Sequence, residues 1–126
     1  MSDFASTGGA STAAARIAHA LRQKGNTITR ISSDGSAQSM FDEKTLFVGR
    51  KFLLINQCFR LIGKEHYAQP FRRNELLRQL EYLLKAIKPH AISIHNLHGA
   101  SWPIELVRKA LEHCPVIWTL HDCWSF

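Results

Sequence analysis

The residues of this chain that could do chemistry gather in three short places. His95-Asn96-Leu97-His98-Gly99 and His121-Asp122 each follow an aliphatic, β-branched run, and Gly8-Gly9 stands just ahead of a helical pattern. An imidazole is suited to hydrogen-bond hydroxyls or a phosphate, and an adjacent carboxylate such as Asp122 can fix its tautomer or accept a hydroxyl proton. Paired glycines before a helix let a ligand approach backbone N–H groups that already favour an anion. Each signal also has a plain structural reading. A single histidine at a strand end often serves the fold alone, and Gly8-Gly9 reads equally as a flexible helix start, since it is not the Gly-x-Gly-x-x-Gly dinucleotide fingerprint. Zinc between His95, His98, His121 and Asp122 lacks the support of an adjacent ligand spacing such as His-Glu-x-x-His, so no metal set is assigned.

These residues must be held by elements that the pattern of the chain predicts. Ala14, Ile17, Ala18 and Leu21 recur at helical spacing within residues 10–24, with Gly25 just beyond, which predicts an amphipathic helix. Residues 27–31 suit a strand and 32–36 the turn that closes it, whereas residues 37–69 are the least regular part, with one helix fitting 47–62. Beyond Pro70, Leu76, Leu80, Leu83, Leu84 and Ile87 form the stripe of a helix that Lys88-Pro89 must end. Residues 91–95 read as a buried strand with 96–99 as its exit loop, 101–103 as the start of a helix running to about His113, and 116–121 as a further buried strand. Alternating helices and strands predict an α/β fold with a parallel sheet and right-handed crossovers. Neighbouring parallel strands would bring both histidine clusters to the rim where open sheets of this kind bind ligands.

The 126 residues, 45% hydrophobic and 21% charged, suit one globular domain without room for two lobes around a cleft. No apolar run reaches the length of a membrane span and the first residues are unlike a secretion signal, so a cytoplasmic location is expected. Cys58, Cys114 and Cys123 are odd in number and widely spaced, which suggests reduced, buried thiols. A net charge of +6 favours an anionic partner: a phosphate ligand, an anionic lipid surface or nucleic acid. Arg50, Lys51, Arg60, Lys64, Arg72, Arg73 and Arg78 interleave with Phe47, Phe52, Phe59 and Phe71. That segment suits peripheral contact with an anionic membrane, or else a solvated helix face whose aromatics fill the core. No recognised module pattern accompanies the charge, so nucleic acid is not expected as a partner.

Gly8-Gly9-Ala10 followed by Ala14-Ala15-Arg16 and Ala20-Leu21, then the cluster His95 to Gly99, then Trp118-Thr119-Leu120-His121-Asp122-Cys123-Trp124-Ser125-Phe126, resemble the N-terminal domain of family 4 glycosyltransferases. The flavour is that of colanic acid and other surface-polysaccharide transferases. The resemblance implies a GT-B architecture, in which two Rossmann-like domains face a cleft and the N-terminal one binds the acceptor. It implies glycosyl transfer from a nucleotide sugar to a polysaccharide or lipid-linked acceptor, usually with retained configuration and no required metal or other cofactor.

Carried over by position, Gly8 and Gly9 match the glycine loop near the donor phosphates. His121 matches a catalytically important histidine, with Asp122 beside it, and His95, Asn96, His98 and Gly99 line the acceptor side. Two departures shape the expectation. Residues 1–7 contain no β-run where the family opens with an apolar strand, and the chain stops at Phe126 inside its last motif. Residues 1–126 are therefore expected to form a partial domain lacking its first strand and the donor-binding lobe, inactive alone, a remnant or a subunit completed by a second polypeptide.

Overall fold

The computed structural model describes residues 1–2, 8–34, 42–47 and 50–121. Helix α1 (Gly9–Gln23) is followed by β1 (Thr29–Ser32), β2 (Asp42–Thr45) and α2 (Arg50–Leu61). A 3-10 turn (Glu65–Ala68) leads into α3 (Gln69–Ile87), then β3 (Ile92–Ile94), α4 (Glu105–Leu111) and β4 (Val116–Trp118). Both strand pairs are parallel, β1 with β2 in the register Thr29↔Asp42 and β3 with β4 in the register Ile94↔Trp118. The α/β class and its parallel, Rossmann-like pairing are as expected from the sequence.

The two strand pairs are joined by two residues. Met1 nitrogen donates to Ser93 O and Met1 O accepts the His95 N–H at 3.0 Å, the alternation of a parallel ladder, so Met1 lies alongside Ile94. On its other side Ser2 N–H donates to Ile31 O at 3.0 Å. Residues 1–2 thus occupy the middle of the order β2, β1, residues 1–2, β3, β4. Among the described residues no strand precedes α1, and this two-residue bridge fills the position of the expected missing strand.

Leucine spacing explains the core. Leu76, Leu80 and Leu84 lie four residues apart on α3, so they share one face, and all are buried. They pack with Ile92, Ile94, Leu97, Trp102, Leu106 and Ala110, while Ile31 and Leu46 extend the cluster to the first strand pair. Proline in its first turn starts α3, and Lys88, in the left-handed conformation (φ 50°), ends it with an N–H donated to Leu84 O at 2.9 Å ahead of Pro89.

Three local expectations need correction. Strand β2, DEKT, has no apolar alternation. It is held instead by pairing, with Thr29 Oγ1–H donating to Asp42 at 3.2 Å and Arg30 meeting Glu43 at 3.3 Å. On α1 the buried residues are Ser11, Ala14 and Ala18, whereas Ile17 and Leu21 are exposed, because the small residues set the inward phase of the helix. Cys58 is exposed on α2, while Cys114 is half-buried with its thiol pKa pushed up by burial. Among the described residues no helix is long and apolar enough to cross a membrane.

Candidate functional site

Parallel pairing sends β3 and β4 out of the sheet on the same rim, where His95 follows β3 directly and His121 lies three residues beyond β4. The chain is pinned here, since Thr119 N–H donates to Ile94 O at 2.8 Å and His95 N–H to Met1 O at 3.0 Å. The two imidazoles meet, His95 Nδ1 lying 3.1 Å from His121 Nε2. Their ring centroids are 5.4 Å apart and the planes differ by 27°. That separation is close to the maximum which such a nitrogen contact permits, so the rings are joined edge to edge by a hydrogen bond rather than stacked face on face.

The two rings differ in environment. His95 is only 3% exposed, whereas His121 is exposed. The other nitrogen of His95, Nε2, lies 3.1 Å from Ser93 Oγ. The pKa of His95 is pushed down to about 4, first by burial and then by the Met1 α-amino group, His121 and Arg30, so at neutral pH the ring is uncharged. The Met1 α-amino group is itself pushed down to about 5, chiefly by burial and further by Arg30.

The loop after β3 is closed on itself. Leu97 N–H donates to Asn96 Oδ1 at 3.1 Å, Trp102 N–H to Leu97 O at 2.9 Å and Ser101 N–H to His98 O at 2.8 Å. Leu97 and Trp102 are buried and anchor the loop in the core, and Arg72 on α3 donates from beneath to Ala100 O. His98 is half-buried and Gly99 exposed, and the Asn96 carboxamide, having used its oxygen locally, keeps its NH2 as the group able to donate.

At the start of α1, Gly8 has φ 89° and its carbonyl accepts from the hydroxyls of Ser11 and Thr12, each at 3.0 Å. No side chain caps the first-turn N–H groups, and a Cβ placed on Gly8 or Gly9 would meet nothing within 4 Å, so the backbone there borders open space. Asp122, the remaining residue singled out in the sequence, lies outside the described residues, as do Cys123 to Phe126 of the same motif.

The structure thus brings His95 to His121 and folds Asn96, His98 and Gly99 into one adjacent loop. Ser93 was not anticipated, although its place two residues before His95 on one strand, hence on the same face, was a usable signal. The Met1 contacts had no signal beyond the missing strand they replace. Two shallow clefts lie elsewhere: one of about 350 Å³ bordered by His66, Arg73 and Glu105, and one of about 290 Å³ bordered by Lys85, Lys88 and His113. Among the described residues no group of three or more His, Cys, Asp or Glu side chains is arranged to hold a metal ion.

No curated protein and no solved structure matches the chain. The sequence model of Glycosyltransferase Family 4 matches residues 7–126, nearly the whole chain and every motif described above. The chain belongs to Glycosyltransferase Family 4, and its function is glycosyltransferase-like.

Proposed function

We propose that this chain provides the acceptor side of a GT-B glycosyltransferase that moves a sugar from a nucleotide-sugar donor to a polysaccharide or lipid-linked acceptor of the surface-polysaccharide kind. The observation that carries the reading is the contact between His95 and His121 at the sheet rim, beside the 96–99 loop. An exposed imidazole backed by a neutral, buried one can accept a proton from a sugar hydroxyl or donate to it without a second charge nearby. Asn96, His98 and Gly99 supply polar and open surface for the acceptor. Gly8 and Gly9 offer uncapped N–H groups to the phosphates of the donor, which a facing lobe would hold. By resemblance, Asp122 joins His121 at the reacting centre.

Saturation-transfer NMR of the chain with a panel of short alkyl glycosides tests this. At least one glycoside should bind, and His121→Ala should abolish its signal. The reading falls if no glycoside binds, or if binding ignores both His121→Ala and His98→Ala.

A second contact is supported by α2. Its inward residues Phe52, Ile55, Asn56 and Phe59 are half-buried, while Leu53, Leu54 and Leu61 on its other faces, and Ile62 beyond it, are exposed, Leu61 at 86%. A helix that turns Leu53, Leu54 and Leu61 to solvent beside the exposed Arg60 is suited to a partner on its open side. Residues 46–64 contain Arg50, Lys51, Arg60 and Lys64 and no acidic residue, so the partner we assign is an anionic lipid surface, fitting a lipid-linked acceptor.

A further inference from the structure

We propose that His95 is a positioning residue: with Ser93 behind it, it holds the His121 ring by Nε2, so that Nδ1 is the nitrogen His121 presents to an incoming hydroxyl. That the hydroxyl belongs to a sugar rests on the acceptor-side reading above; the control of the His121 tautomer does not.

The argument is one of hydrogen-bond capacity. A neutral imidazole has one donor and one acceptor nitrogen, and those of His95 face Ser93 Oγ and His121 Nε2, each at 3.1 Å. His95 stands on backbone that the sheet holds, the chain leading to His121 is pinned by Thr119 N–H to Ile94 O, and His95 is 3% exposed, so water does not readily reach its two nitrogens.

Two settings satisfy every atom. In one, the Ser93 hydroxyl donates to His95 Nε2, His95 Nδ1–H donates to His121 Nε2, and neutral His121 carries its proton on Nδ1. In the other, His121 Nε2–H donates to His95 Nδ1, His95 Nε2–H donates to Ser93 Oγ, and His121 Nδ1 is a bare lone pair. Ser93 can complete either setting because a hydroxyl both donates and accepts. A hydroxyl arriving at Nδ1 can accordingly be received as acceptor or as donor. His95 thereby acts without touching the ligand, as its burial requires.

Long-range 15N–1H correlation spectra report imidazole tautomers directly. Ser93→Ala does not touch His121, yet it should change the His121 tautomer ratio by about threefold or more, the size of one net hydrogen bond. Ser93→Thr, which restores a hydroxyl, should return the wild-type ratio, and His95→Gln should change it again. The proposal is overturned if the His121 ratio is the same in wild type, Ser93→Ala and His95→Gln, or if Ser93→Thr behaves as Ser93→Ala does. Should His95→Gln fail to fold, the Ala and Thr variants at Ser93 decide alone. A glycoside panel that fails to bind while Ser93→Ala still shifts the ratio would remove the acceptor-side reading and leave this one standing.

Discussion

Helices α2 and α3 both carry several leucines, and they use them in opposite ways. On α3, Leu76, Leu80 and Leu84 are at most 2% exposed and form the centre of the core. On α2, the inward face at i, i+3, i+4 and i+7 is taken by Phe52, Ile55, Asn56 and Phe59, which turns Leu53, Leu54 and Leu61 outward. The difference teaches that the phase of the apolar residues, more than their number, decides whether a helix serves the core or a partner. The site follows the same division, since His95, the 96–99 loop and His121 all follow strands that the α3 core supports.

The sharpest way to break this comparison is to truncate one leucine on each helix. Leu80→Ala should cost roughly 2–5 kcal/mol, because it removes a fully buried side chain and leaves a cavity. Leu61→Ala should change stability by only about 0.5 kcal/mol in either direction. Chemical denaturation of the two variants checks both, and equal losses would mean that α2 is packed as tightly as α3.

The same contrast explains what was legible in the sequence. The α3 stripe, its stop at Lys88-Pro89 and the strands before His95 and His121 were readable because burial there follows simple periodicity. Strand β2 was hidden because Asp42 and Glu43 are held by the cross-strand partners Thr29 and Arg30, and Lys44 pairs with Asp42 on its own strand. The inward face of α1 was legible in part: Ala14 and Ala18 of the predicted stripe are buried, whereas the larger Ile17 and Leu21 are exposed and the small, polar Ser11 takes an inward place. Of the site, the two histidine clusters and their shared rim were legible. The edge-to-edge contact was not, because it depends on the β3–β4 register, which no local pattern encodes.

The packed half also carries a buried titratable ring, which gives the comparison a pH signature. The pKa of His95 lies near 4 in the fold and near 6.5 unfolded. The unfolded state therefore binds the extra proton first, and stability contributed by the neutral ring is lost as pH falls from about 6.5 toward 4, at a slope of up to roughly 1.4 kcal/mol per pH unit. The depressed Met1 amine works in the same direction at higher pH, between its ordinary 8 and about 5. Denaturation midpoints should drop across the lower window in the wild type and drop less steeply in His95→Gln, where the Met1 amine still contributes above about pH 5. A wild-type midpoint that does not change between pH 6.5 and 4 would contradict the burial of the ring.

On the α2 side the smallest effect is expected, in binding rather than folding. Vesicles containing phosphatidylglycerol should sediment the chain in a salt-sensitive manner, phosphatidylcholine vesicles should not, and Leu61→Asp should weaken the association by about tenfold, the order of one leucine side chain returned to water. Equal sedimentation with both lipids, or with Leu61→Asp, would remove the membrane as the partner of this helix.

The central claim is that two imidazoles from neighbouring parallel strands meet nitrogen to nitrogen at the sheet rim. In the uniformly 15N-labelled wild-type chain at neutral pH, nuclear Overhauser contacts between the ring protons of His95 and His121, with a nitrogen–nitrogen coupling across the hydrogen bond, are the predicted result. Rings that show neither signal, in a chain whose Ile94 and Trp118 backbone contacts are intact, would contradict it.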